Sequence, residues 1–170
     1  MGLTTHSEAG VVDYEAYFPI FEAMQEHDLV LNLHGEAPST PASAFMSNDG
    51  KEAITVLNAE AAFLSTLHRI HNAFPGLRII LEHVTSISAV NAVRMCGPTV
   101  AATITAHHLW ITIDDAVSNA FNFCKPLAKG LADRVALLQA VMDGSGKFFF
   151  GKSTARDLVF RLLISSSSRK

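Results

Sequence analysis

Leu29-Val30-Leu31-Asn32-Leu33-His34-Gly35-Glu36 and Leu77-Arg78-Ile79-Ile80-Leu81-Glu82-His83 are the two stretches that decide the fold. Each is a short apolar run that ends in an imidazole and a carboxylate. Runs of about five apolar residues without alternation suit strands of a parallel sheet, covered on both faces. Both would then deliver a histidine at the C-terminal end of a strand.

The flanking segments read as helices. Over residues 13–27, Tyr17, Phe18, Ile20, Phe21 and Met24 recur at helical spacing, with Asp13 available as N-cap. Over residues 57–74, Leu57, Ala61, Leu64, Leu67, Ile70 and Phe74 form one stripe, stopped by Pro75-Gly76. Residues 86–95 form a shorter helix with Ser86 as cap, and residues 99–105 a small-residue, β-branched strand. A loop with His107, His108 and Trp110 follows, then a helix over 131–142 and a strand over 147–150. Residues 37–51, with Pro38, Pro41, Asn48, Asp49 and Gly50, read as a long loop. Helix then strand, four times over, predicts an α/β fold with a parallel sheet and right-handed crossovers. Periodicity leaves open whether the sheet closes. A complete eight-stranded barrel takes about 250 residues, and this chain has 170.

Composition bounds the function. Hydrophobic residues make up 49% of the chain and charged ones 17%, below the roughly 25% of an average soluble domain, so a well-buried core is expected. Thirteen Lys and Arg against sixteen Asp and Glu give a net charge of -3. No basic run could neutralise a phosphate backbone, which argues against nucleic acid as a partner. No apolar run approaches the roughly 20 residues of a membrane span, and MGLTTHSEAG has no features of a secretory leader. Cys96 and Cys124 are far apart and form no metal or redox spacing, so both read as packing residues of a reduced, cytoplasmic chain.

His34 and His83 are the sharpest candidates. Neutral imidazoles from neighbouring strand ends can share one divalent ion, most naturally zinc. His68 and His71, three apart on a helix, read as surface residues. Adjacent His107 and His108 are expected to diverge, with at most one facing the C-terminal mouth of the sheet. Gly146 to Ser153 matches the phosphate-loop string GxxxxGK[ST]. Three phenylalanines fill its variable positions, so it reads as the strand itself, and nucleotide binding through Lys152 is the weakest alternative.

TTHSEAGV, VLNLHGE, VLNAEAAFL, FPGLRIILEHVTS, VAATITAHHLWITIDD, NFCKPLAK and KFFFG, in this order, resemble the central part of the dihydroorotases of fungi and many bacteria. These are zinc-dependent amidohydrolases on an eight-stranded α/β barrel, which interconvert carbamoyl aspartate and dihydroorotate in pyrimidine synthesis. The resemblance implies a partial TIM-type (β/α) barrel of about four parallel strands over residues 1–151, followed by an unrelated low-complexity tail over 152–170. It implies zinc ligands at His34, in the HGE string, and at His83, in the EH(I/V/C)T string. Thr4 and Thr5 correspond to the paired threonines of a substrate-closing loop, although His6 replaces the usual asparagine. Cys124, Lys125 and Pro126 correspond to the CxP string, whose backbone helps hold the pyrimidine ring.

Other parts of the family pattern have no counterpart here. The HxH pair of the first barrel strand, a substrate-binding arginine and a metal-bridging carboxylated lysine all lie upstream of the family's TTNS string. After the Phe-rich strand the family's G(S/T)DSAPH string carries a metal-binding aspartate that acts as base. Here Gly151-Lys152-Ser153 puts a serine about there, and Asp157 is displaced. The expectation is weak metal binding and no turnover by this chain alone. Gly-Lys-Ser can be encoded across an intron donor, so intron read-through is one expected origin of the tail; a truncated gene model or a degenerate paralogue are others. Open sheet edges predict a homodimer or association through those edges, and a non-catalytic pseudoenzyme binding a homologous or pathway partner is the alternative function.

Overall fold

The computed structural model describes residues 2–3, 11, 13–41 and 52–151. Five strands form one sheet: β1 (Gly2–Leu3), β2 (Val30–His34), β3 (Arg78–Glu82), β4 (Val100–Thr105) and β5 (Phe148–Gly151). Their spatial order is their chain order, and every pairing is parallel. Between them run α1 (Phe18–Glu26), α2 (Ala59–Ala73), α3 (Ile87–Met95), α4 (Ile113–Ser118) and α5 (Leu131–Met142).

That order distinguishes the two common ways of winding a parallel sheet. Crossovers of the usual right hand, stepping always in one direction, put every helix on the same face, as in a barrel wall; a doubly wound sheet must reverse direction. Burial agrees. Leu31, Leu33, Ile79, Leu81, Ala102 and Ile104 pack into one core with Phe21, Phe63, Leu67, Ile70, Val90, Val93 and Leu137 of the helices. The alternate residues Asn32, His34, Ile80, Glu82 and Ala101 are only partly buried, on the face a closed barrel would turn inward. Among the described residues β1 and β5 are the edges.

The four expected strands lie within a residue of their predicted bounds, and β1 adds a fifth that two residues of sequence do not announce. The first helix is shorter than expected: Glu15–Tyr17 is a 3-10 turn whose N-cap position is Tyr14, not Asp13, although Asp13 Oδ1 accepts the Glu15 amide at 3.1 Å just before it. Ser86 does cap α3, accepting from Ala89 N. The expected loop over 37–51 falls largely outside the described residues, as do Thr4, Thr5, His6, Lys152 and Ser153. The phosphate-loop string is a strand over Phe148–Gly151, paired with β4.

Two glycines are dictated by space. A Cβ on Gly35 would sit 2.7 Å from Leu81 Cδ1, and one on Gly151 would sit 2.5 Å from Thr103 Cβ. Each lets a strand end pass close to its neighbour.

Candidate metal centre

β2 and β3 pair in register, with His34 opposite Glu82, so His83 lies one residue beyond the end of the ladder. His83 takes a left-handed backbone conformation, φ +44°, which costs a non-glycine residue about 1–3 kcal/mol. The turn is held from β4: Thr103 Oγ1 accepts the His83 amide at 2.6 Å and donates to Glu82 Oε2 at 2.6 Å. This clamp swings the His83 ring back over the end of β2.

The two imidazoles meet there. His34 Nδ1 lies 3.3 Å from His83 Nε2, with ring centroids 4.9 Å apart and planes at 69°. Zinc–nitrogen bonds of about 2.0–2.1 Å at a tetrahedral angle separate two ligand nitrogens by roughly 3.3–3.4 Å, so the spacing suits two ligands of one ion. His34 Nε2, on the far side of its ring, lies 3.1 Å from Oε2 of the buried Glu36. Burial, reinforced by the neighbouring His34 ring, pushes the His83 imidazole down to about 4, which leaves it neutral and able to ligate at neutral pH. The donor set therefore fits zinc as far as it goes. Among the described residues no group of three or more His, Cys, Asp or Glu is placed to share a metal ion.

Around this pair the strand mouth is unusually polar for a buried region. His83 Nδ1, Thr85 Oγ1, Thr105 Oγ1 and His108 Nδ1 are buried without a hydrogen-bond partner among the described residues. His107 and His108 do not diverge. They sit on the 3-10 turn Ala106–Leu109, both buried, with ring centroids 4.0 Å apart. The expectation of divergence borrowed the alternation of a strand, which a 3-10 turn does not follow. His108 Nε2 donates to the Pro126 carbonyl at 3.0 Å, and burial with the His107 charge holds it down to about 3. That contact ties the segment carrying half-buried Cys124 and exposed Lys125 to the mouth of β4.

Beneath the mouth lies a buried polar cluster that sequence reading missed. Glu60, in the first turn of α2, accepts the Thr85 amide at 2.8 Å and the Ser86 hydroxyl. Lys129 Nζ donates to the carbonyls of Leu127 at 2.8 Å and Val56 at 3.0 Å. Burial raises Glu60 and lowers Lys129, while Glu60 and Glu36 both pull Lys129 back up. Glu36 was visible inside the HGE string; nothing in the sequence marked Glu60 or Lys129 as buried. His68 and His71 are structural: His71 Nε2 accepts the Gly97 amide at 3.3 Å, and His68 Nδ1 lies 3.8 Å from the buried, free Cys96.

Comparison with known proteins settles the ancestry. A dihydroorotase of Saccharomyces cerevisiae is 52% identical over 165 residues, covering 91% of this chain and 43% of that protein. One of Mycosarcoma maydis is 50% identical over 154 residues, 91% of this chain and 37% of that protein. Over 91% of its length the chain is homologous to part of these dihydroorotases. The crystal structure of the yeast dihydroorotase in complex with 5-fluoroorotic acid matches with a TM-score of 0.80 at 51% identity, over 91% of this chain and 44% of that one. A Campylobacter jejuni dihydroorotase matches with a TM-score of 0.75 at 33% identity. The L-hydantoinase of Arthrobacter aurescens, at 19% identity and a TM-score of 0.66, shares the fold. No family profile matches the chain. This dihydroorotase homologue spans about two fifths of the relatives it matches, and its sheet is part of their barrel. No helix of the described residues is long and apolar enough to cross a membrane.

Proposed function

We propose that this chain carries two zinc-ligating histidines, His34 and His83, of a dihydroorotase that reversibly hydrolyses the cyclic amide of dihydroorotate in the cytoplasm. The observation that carries the reading is the 3.3 Å approach of His34 Nδ1 to His83 Nε2 at adjacent strand ends. Zinc, when bound, would polarise an amide carbonyl as a Lewis acid. The chain's own residues orient the two imidazoles, keep His83 neutral and, through Thr103 and Glu82, fix the turn that brings the rings together. The backbone of Cys124 and Lys125 would border the substrate ring, and Thr4 and Thr5 would close over it. A planar pyrimidine acid in the yeast relative supports that substrate class.

The 170-residue chain on its own is proposed to bind zinc weakly and to be inactive. Two histidines are fewer than the three protein ligands of a typical catalytic zinc, and a positioned base is worth about 10²–10⁴-fold. Incubation of the purified chain with zinc and dihydroorotate, following ring opening, tests this. Robust turnover refutes inactivity, and zinc binding that survives loss of both His34 and His83 refutes the site.

A second reading, a non-catalytic chain that binds a homologous chain or another copy of itself, is favoured by β5. This edge strand exposes Phe149 at 44% and Phe150 at 67%. Co-purification of a tagged chain with a full-length dihydroorotase, and its own mass in solution, test that reading.

A further inference from the structure

We propose that Glu36 is the positioning residue that fixes the tautomer of His34. His34 presents its two ring nitrogens to two different neighbours: Nδ1 to His83 Nε2 at 3.3 Å and Nε2 to Glu36 Oε2 at 3.1 Å. An ionised carboxylate only accepts, so the nitrogen facing it must carry the proton. His34 is then the Nε2–H tautomer, and its Nδ1 lone pair points at the His83 ring. A carboxylate that holds the far nitrogen of a ligating imidazole both orients the ring and raises its basicity.

Several features make Glu36 suited to this. Its side chain is 1% exposed, so bulk water does not compete for the hydrogen bond. Its Oε2 sits 3.1 Å from the outer nitrogen of the His34 ring, so the contact is direct and needs no bridging water. Residues 34 and 36 lie two apart in backbone that makes no turn or bend at Gly35, so their side chains fall on the same side of the chain, while Gly35 leaves room for Leu81 between them and the helices. His83 has no equivalent partner: its Nδ1 is buried and unbonded among the described residues. With the His34 Nδ1 lone pair facing it, His83 Nε2 is the donor of that contact in the metal-free chain, so the protons run in one direction, from His83 to His34 and from His34 to Glu36.

The tautomer assignment stands on the metal-free geometry, and only its consequence for zinc rests on the reading above. Long-range ¹H–¹⁵N spectra of the full chain with ¹⁵N-labelled histidine, free of metal at pH 8, report which nitrogen of each ring is protonated. The proton on His34 Nε2 is expected in the parent chain and in Glu36→Gln, whose amide oxygen still accepts. Glu36→Met is expected to give a mixture of tautomers at His34 and a zinc affinity about 10–100-fold weaker, with Glu36→Gln in between. A proton on His34 Nδ1 in the parent chain overturns the proposal, as does a Glu36→Met spectrum unchanged at His34 despite weaker zinc binding. If Glu36→Met does not fold, the parent spectrum and Glu36→Gln decide. Tautomers as expected in a chain that takes up no zinc uphold the role of Glu36 and refute the zinc reading alone.

Discussion

Thr103 holds the main chain of His83: its hydroxyl accepts the His83 amide at 2.6 Å across the β3–β4 pairing. The strained turn at His83 is thus stabilised by a neighbouring strand. Thr103→Val keeps the shape and removes both the acceptor for His83 and the donor to Glu82. The expected loss is about 1–3 kcal/mol, read as a lower urea midpoint at unchanged slope, together with weaker zinc binding.

Gly151→Ala should act on the same clamp from the other side. Its methyl would meet Thr103 Cβ and Oγ1 at 2.5 and 2.7 Å, atoms that cannot yield without disturbing His83. The His83 ring resonances are expected to shift in Gly151→Ala but not in Gly97→Ala, whose methyl would meet only the His71 ring at an ordinary 3.7 Å.

Acid should destabilise the metal-free chain earlier than its carboxylates alone would predict. His83 and His108 are held down to about 4 and about 3, whereas both protonate near 6.5 when unfolded. Between those values the unfolded state binds more protons, so stability falls as pH drops below about 6.5, by up to about 1.4 kcal/mol per pH unit for each ring. Denaturant midpoints from pH 7 to pH 4.5 check this, and His108→Phe should flatten the slope.

Lys129→Met is expected to cost about 3 kcal/mol, because it strands Glu60 and Glu36 in a buried region. The double variant Lys129→Met/Glu60→Gln should recover part of that loss, since it removes one of the two stranded charges. A double-mutant cycle by chemical denaturation measures the coupling.

Phe150→Lys on the edge strand should lower self-association without lowering stability, because the side chain is largely exposed and a charge on an edge discourages pairing with another chain. Light scattering against concentration provides the measurement.

Much of the arrangement was legible because it rests on local rules. The apolar runs at 29–33 and 77–81 have no other economical reading than buried strands, and parallel strands place their C-terminal residues together, which makes His34 and His83 a pair in the sequence itself. What escaped depends on contacts between distant segments. β1 exists only by pairing with Asn32 and Leu33. Glu60 looks like any acid in a first helical turn, and its burial comes from Thr85 and Ser86, 25 and 26 residues away. α4 could have been found: Thr112 and Asp115 form a capping box, a signal present in the letters. The role of Thr103 was hidden because a threonine in a strand reads as a β-former.

Lys147 makes a last point about how this sheet is assembled. Its ammonium is surrounded by the carbonyls of Val93, Cys96, Gly97 and Val100 at 2.8–3.1 Å, four groups at the exit of α3 and the entry of β4. They are synthesised some fifty residues before the side chain that occupies them. A nascent chain paused short of that lysine lacks the one cation that gathers these oxygens, so β5 can seat only after the ribosome has delivered its own fastening.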